Sequence, residues 1–504
     1  MKVTKWAMLI AMAGGLSATT VSAQTGLRQP STVMRTGFEY GSYYQASAEQ
    51  PAVSPSDAPV EAAPAPVAAA PGCTTGCANA APTCEAPAAC AAGPSCAAES
   101  TCTSCGPDCA LECPDACEPW RLFPNHQDPC HGPSIRGWVN AGIMGNSDSP
   151  ASRFNGPVTF YDRSGEAQLS QLYLIAEKAL DTANGPAFGY RLDLMYGTDY
   201  RFNISRGLSA DDTFQANWNS SRFYGLDIPQ AYVELGKDDT SIKVGHFYTI
   251  IGYEVVTAPD NFFMTHAYTM QYGEPFTHTG ALLTQKVNDQ LSVMAGITTG
   301  WDNFEDVYNE LSFLGGVTLT SSDGNSKLAY AVSVGEEETV FGAVSPTETR
   351  FIQSVVYSRT LTDRLNYVFQ SDLGSQENAL NSGDTATWYG INQYLFYKLN
   401  CCWTAGVRAE WFRDDDGFRV APAGDYAAQG FSNNPASAGG FEGNFYAVSA
   451  GLNYKPLSNP NLVVRPEVRY DHFEGNGVNG VANPYDDGNS DDQFLYGIDF
   501  IYLY

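Results

Sequence analysis

The residues best suited to chemistry in this chain are charges two positions apart. Arg191/Asp193, Arg408/Glu410, Arg465/Glu467 and Arg469/Asp471 each place a cation and an acid on one side of an extended backbone. Arg136 and Lys243 stand in similar alternating segments. One long connection, Tyr248–Phe276, adds Glu254, Asp260, His266 and Glu274 among Phe, Tyr and Met residues. Such groups bind water and ions and pair with one another. The six His are His126, His131, His246, His266, His278 and His472. None stands in H-E-x-x-H or C-x-x-C-H, and the chain holds neither G-x-S-x-G nor a P-loop. A Ser–His pair assembled only by folding is the remaining enzymatic option, with His246 and His278 flanking the long connection. The chain is therefore read as non-enzymatic, with no cofactor and no catalytic or structural metal.

The elements that carry these charges alternate with period two. Phe188, Tyr190, Leu192, Leu194 and Tyr196 interleave with Gly189, Arg191 and Asp193. Trp403, Ala405, Val407, Ala409 and Trp411 interleave with Thr404, Gly406, Arg408 and Glu410. Leu462, Val464, Pro466, Val468 and Tyr470 stand against Val463, Arg465, Glu467, Arg469 and Asp471. That is the pattern of a strand with one apolar and one wet face. Sixteen candidate strands run from about Ile135 to Tyr504, and no amphipathic helix interrupts them.

The connections alternate too. Short polar turns fall at 181–186, 236–239, 288–289, 321–325, 360–362, 400–401 and 456–460. Between them lie longer connections at 146–165, 199–225, 248–276, 301–309, 336–349, 375–384, 414–441 and 474–490. An antiparallel up-and-down barrel with turns on one rim and loops on the other has this rhythm. The apolar faces, aromatic at their ends, suit lipid, and the charged faces suit a wet lumen. Two soluble sheets packed together are the competing reading. The final alternation, Tyr496, Ile498, Phe500, Tyr502 and Tyr504, resembles the terminal strand of outer-membrane barrels. The expected fold is all-β: a transmembrane antiparallel up-and-down barrel of about 16 strands over residues 134–504.

Composition agrees with a chain of unlike parts. Only 16% of the 504 residues are charged, and 29 Tyr outnumber the 27 Lys and Arg. A mean hydropathy of −0.23 argues against several long apolar helices. The net charge of −28 argues against nucleic acid as a partner. Residues 1–23 read as a signal peptide: Lys2 and Lys5, an apolar core from Trp6 to Leu16, and Val21-Ser22-Ala23 before cleavage. Residues 24–133 read as an Ala/Pro/Cys-rich linker, largely disordered. Eleven of the 13 Cys lie between Cys73 and Cys130, so disulfides in an oxidising compartment are expected there. Cys102-x-x-Cys105 lacks the second pair that a zinc site needs. Both 11 and 13 are odd, so at least one Cys is free or bonded to another chain, and a disulfide to a partner in the periplasm is one expectation for it.

From Arg136 to Trp301 the chain resembles a known family, the putative β-barrel porin-2 (OmpL-like) proteins of Gram-negative outer membranes. The likeness rests on residues 137–142 (Gly-Trp-Val-Asn-Ala-Gly), 171–173 (Gln-Leu-Tyr), 190–193 (Tyr-Arg-Leu-Asp), 232–235 (Tyr-Val-Glu-Leu) and 244–247 (Val-Gly-His-Phe). It continues through 252–254, 258–263 and 273–280 in and beside the long connection. It covers most of 134–504 and none of the Cys-rich segment. The resemblance implies a porin: a water-filled outer-membrane channel for passive diffusion of ions and small hydrophilic solutes. Loop 248–276 is expected to fold inward and narrow it, with Glu254, Asp260, His266 and Glu274 at the constriction. The facing wall charges are Arg136, Arg191, Asp193, Lys243, Arg408, Glu410, Arg465 and Arg469. A loop that caps the barrel from outside, and a barrel that is structural or adhesive without transport, are the alternatives. The acidic clusters Asp414–Asp416, Glu336–Glu338, Asp486–Asp487 and Asp491–Asp492 read as solvated loops in preference to sites for divalent cations that bridge surface lipids, none having calcium-loop spacing. Lipid, small solutes and a homo-oligomer by analogy with other 16-stranded barrels complete the expected partners.

Overall fold

The computed structural model describes residues 119–124 and 133–504, the latter apart from 212–215, 307–308, 340–346, 380–382, 422–439 and 478–481. The signal peptide and nearly all of the Cys-rich linker lie outside the described residues.

Sixteen strands follow one another. They are β1 (Ser134–Asn146), β2 (Ala167–Lys178), β3 (Ala187–Gly197), β4 (Gly225–Lys237), β5 (Thr240–Tyr248) and β6 (Thr277–Asn288). Next come β7 (Leu291–Thr298), β8 (Ser312–Thr320), β9 (Ser326–Glu338), β10 (Thr347–Thr362) and β11 (Leu365–Gln376). The last are β12 (Ala386–Lys398), β13 (Trp403–Asp414), β14 (Glu442–Tyr454), β15 (Leu462–Asn476) and β16 (Asp492–Leu503). Each pairs antiparallel with its neighbours in sequence, and β16 closes on β1, so the sheet is a closed barrel. Closure leaves no sheet edge, which is what allows a β-structure to lie in hydrocarbon. Among the described residues no helix is long and apolar enough to cross a membrane.

Period-two alternation decides which side chains face where. Phe188, Leu192, Val407, Val448, Val468, Tyr496 and Phe500 are exposed on the outer face. Their neighbours Asp193, Arg408, Glu467, Arg469 and Asp499 are buried on the inner one. An outer apolar band of this kind is stable against lipid and would drive association in water. A register slip of one residue would turn Arg408 and Glu410 outward together, so the lipid face fixes the register. The two rims differ as expected. The β4–β5 connection is two residues, with Asp238 at φ 52° making the tight turn, whereas β5–β6 is joined by 249–276.

Tyr504 extends the β1–β16 seam beyond the strand pairing of Trp138 with Leu503. Tyr504 N–H donates to Gly137 O (2.9 Å) and Gly137 N–H donates to Tyr504 O (3.0 Å). The Tyr504 hydroxyl donates to Tyr173 O (2.8 Å), one strand further on. Deleting Tyr504 removes all three bonds. The expected result is a reduced yield of barrel in a heat-modifiability gel after refolding into detergent micelles. An unchanged yield would show that closure does not depend on this residue.

Candidate functional site

The connection 249–276 does not stay at the rim. It crosses the barrel interior and is bonded to inner-face residues of strands on opposite sides. On β2, Gln171 Nε2 donates to Val256 O (2.7 Å) and Gln171 Oε1 accepts from Ala258 N–H (3.0 Å). On β15, Glu467 accepts from the N–H groups of Met264 (2.7 Å) and Thr265 (3.1 Å). On β13, Glu410 accepts from Thr269 N–H (2.8 Å). On β12, Trp388 Nε1 donates to Gly273 O (3.1 Å). On β11, Gln370 Nε2 donates to Glu274 Oε1 (2.5 Å). A loop without regular pairing leaves its backbone polar groups unsatisfied once buried, and here the wall supplies their partners.

Three wall guanidinium groups hold the loop, Arg469 through Nη1 to His266 O (2.5 Å), and Arg408 and Arg465 through more bonds each. Arg408, fully buried on β13, donates through Nη1 to Glu254 Oε1 (2.7 Å) and Thr265 O (2.8 Å), and through Nη2 to Ser449 Oγ (3.0 Å). Arg465 donates through one nitrogen to three loop carbonyls, Ala258, Asn261 and Phe263 (2.9, 2.8 and 3.1 Å), while its fork holds Asp499 (2.5 Å). Five donors in a rigid plane suit a guanidinium to this double task. Glu254 also receives Ala267 N–H (2.9 Å) and the Tyr394 hydroxyl (3.1 Å), and His266 Nδ1 lies 3.0 Å from it. Burial alone would raise the Glu254 pKa, but Arg408 and His266 bring it well below the usual carboxylate range. Glu274 is the opposite case: burial, then the neighbouring Asp372, push it well above that range.

The wall is shaped to receive the loop. A Cβ on Gly406 would stand 2.4 Å from the Phe262 ring, and one on Gly390 would stand 2.5 Å from Thr269 Oγ1. Gly451 lies against Phe263. Inside a strand, glycine of this kind marks close approach of another segment. Phe262 and Phe263 pack with Tyr394 and Phe396 in one aromatic cluster with Tyr253. Around these rings lies a small recess, also lined by Glu254, Asp260 and Asn261.

Other long connections pack over the loop. Pro157 O accepts from the Tyr272 hydroxyl (2.6 Å), and Phe160 lies 4.3 Å from the His266 ring. Asp302 accepts from Phe276 N–H (2.9 Å) and Thr277 N–H (2.8 Å), and burial pushes its pKa up to about 7. Arg419 stands between Trp301 (4.8 Å) and Trp388 (4.9 Å) and donates to Tyr272 O (2.5 Å).

The remaining wall charges lie toward the short-turn rim. Arg136 donates to Glu177 (2.7 Å), and Arg191 donates to Asp193 (2.7 Å) and Glu177 (3.4 Å). Lys243 Nζ lies 4.4 Å from the centre of the Tyr232 ring, in register opposite Glu234. Of the four cation–acid pairs two apart, Arg191/Asp193 and Arg469/Asp471 are bonded within their own strand. Arg408 and Arg465 instead pair with Glu254 and Asp499, leaving Glu410 and Glu467 to accept from the loop backbone. Asp260 is half-buried and accepts from Thr257 Oγ1 (2.6 Å), apart from the Arg408 clamp. Sequence reasoning assigned no site role to Gln370, Asp372, Trp388, Tyr394 or Asp499, and Gln171 entered only through the family likeness. The lumen-facing glycines 390, 406 and 451 were the signal that would have located this side of the wall. Among the described residues no group of three or more His, Cys, Asp or Glu could hold a metal ion.

A family model described as putative beta-barrel porin-2, OmpL-like, matches residues 133–504. Among solved structures the chain is similar to the outer membrane channel DcaP of Acinetobacter baumannii, at 12% identity and TM-score 0.48, covering 74% of this chain and 97% of that one. It is similar to OmpT of Vibrio cholerae in its trimer form, at 12% identity and TM-score 0.46, covering 74% and 99%. It is also similar to an anion-selective porin from Comamonas acidovorans, at 8% identity and TM-score 0.47, covering 74% and 99%. No curated protein matches the chain.

Proposed function

The chain belongs to the putative beta-barrel porin-2, OmpL-like family as a porin-like outer-membrane barrel, and from that membership we propose that it is a diffusion channel for ions and small hydrophilic solutes, narrowed by loop 249–276. The observation that carries the reading is the clamp of that loop across the interior by Arg408, Arg465, Glu410 and Glu467. A loop tied at both sides of a barrel limits the cross-section, and its fixed charges act on whatever passes. Glu254, Asp260, His266 and Glu274 are the loop groups nearest that role. Arg136, Arg191, Asp193 and Lys243 line the approach from the short-turn rim. In this reading the protein is exported by residues 1–23 and sits in a Gram-negative outer membrane. Its short-turn rim and the linker 24–133 face the periplasm.

A second reading has a specific observation in its favour. Ile251, Met264, Met270, Tyr272, Phe276, Trp301 and Phe418 form an apolar cluster inside the barrel, as a plugged structural or adhesive barrel would have. Purified protein in planar lipid bilayers separates the two. The channel reading expects stepwise ion conductance, larger in a variant lacking 255–272. Equal conductance with and without the segment would overturn the narrowing. No conductance from either protein would favour the structural barrel.

A further inference from the structure

The short-turn rim carries two adjacent cysteines, Cys401 and Cys402, in the turn between β12 and β13, and both are disulfide-bonded. We infer that this pair staples the Cys-rich segment of the same chain to the barrel rim, through Cys113 and Cys117.

Adjacent residues are poor partners for one another. Consecutive Cα atoms lie about 3.8 Å apart, short of the roughly 4.4–6.8 Å that disulfides ordinarily span. The other 11 Cys all lie between Cys73 and Cys130, so within this chain the partners come from there. The rim shows which of them arrive. Trp120 is fixed on Asn461, just before β15: Trp120 N–H donates to Asn461 Oδ1 (2.8 Å) and Asn461 Nδ2 donates to Trp120 O (2.8 Å). The Trp120 ring lies 6.4 Å from that of Tyr502. On the same rim Cys402 O accepts from Lys455 N–H (2.8 Å), at the end of β14. From β15 to β13 is two strand spacings, roughly 10 Å. The three residues from Trp120 back to Cys117 can reach up to roughly 10 Å, and Cys113 is four positions further along the chain. Cys130 is placed less well. It precedes β1 by four residues, roughly 14 Å of chain, while β1 to β13 is four spacings, roughly 19 Å.

Each bond forms as two thiols give up two protons and two electrons to an oxidised disulfide carrier of the export compartment, whose own disulfide becomes a dithiol. Two such bonds hold the segment under the barrel opening and leave nine of its cysteines for other pairings.

The folded, full-length protein tests this without any variant. No Lys or Arg lies between Arg35 and Arg121, so trypsin releases residues 36–121 as one piece. After alkylation of free thiols, that piece is expected to stay with the barrel on a non-reducing gel and to leave it on adding reductant. Mass spectrometry of the non-reduced complex is expected to find Cys113 and Cys117 joined to Cys401 and Cys402. Cys401 joined to Cys402, either one alkylated, or a link to any other cysteine or to a second chain would overturn the inference. In a Cys130→Ser background, where no other cysteine on the barrel side of Arg121 can hold the fragment, the Cys401→Ser/Cys402→Ser variant should shed it without reductant while its barrel remains heat-modifiable. Retention of the fragment by that variant would equally overturn it.

Discussion

Arg408→Met is expected to undock loop 249–276 from the barrel wall and, in the proposed channel, to widen the passage. The guanidinium is fully buried and donates to Glu254, Thr265 and Ser449, so one substitution removes bonds on both the loop and the wall. Glu254 is then left buried with Ala267 N–H, the Tyr394 hydroxyl and His266, and no guanidinium. Breaking one partner from a buried ion pair costs about 3–5 kcal/mol. Most of that falls on loop docking, because the backbone pairing of β13 with β12 and β14 does not depend on the side chain and only the Ser449 bond is lost from the wall. The expected result is a larger single-channel conductance, with chymotrypsin now cutting at the loop's Phe and Tyr residues and heat-modifiability unchanged. Glu254→Leu in the same chain should restore part of the docking, since replacing both members of such a pair by apolar groups is often neutral. Conductance of Arg408→Met equal to the parent's would show that Arg408 does not hold the loop.

The same residue shows how much of the site could be read in advance. Strand number, rim asymmetry and outer face were legible because a lipid-facing strand must repeat every two residues and a short turn must be polar. Tyr190, Leu192 and Leu194 obey one constraint and Arg191 and Asp193 the other, over a single stretch. The partners of the wall charges were not legible. Arg191/Asp193 and Arg408/Glu410 have the same spacing, yet the first pair closes on itself while Arg408 reaches a loop residue 154 positions away. Spacing along one strand encodes which side chains share a face. It carries nothing about what the loop brings to that face. Gly390, Gly406 and Gly451 did encode it, since each falls where the inner face would otherwise carry a side chain. Their meaning depends on knowing that a second segment occupies the lumen. The twin cysteines are similar: Cys401 and Cys402 are plain in the sequence, but only the docking of Trp120 on Asn461 relates them to the linker.

Raising the pH should loosen the loop, and Glu274→Gln should remove much of that response. Glu274 sits beside Asp372 on β11. Gln370 Nε2 donates to both acids (2.5 and 3.0 Å), and Ser354 Oγ donates to Asp372 (2.6 Å). Glu254 is the other charged group acting on Glu274. Burial and Asp372 raise the pKa of Glu274 in the docked loop above its value in a released, solvated loop, near 4.3. The docked state therefore holds the extra proton. Its stabilisation is complete below about 4.3 and is lost as pH climbs from there through the docked pKa. Each unit of separation between the two values changes the docking equilibrium about tenfold. Asp302 acts with the same sign, burial having pushed it up to about 7, at the end of the loop where it accepts from Phe276 and Thr277. Glu254 has the opposite sign, but its lowered pKa confines its effect to strong acid. Single-channel conductance between pH 5 and 9 is thus expected to rise in the parent, to rise less in Glu274→Gln, and to be flattest in Glu274→Gln/Asp302→Asn. A parent conductance that falls with pH, or a Glu274→Gln profile that matches the parent's, would show that this carboxyl pair does not govern the docking of the loop.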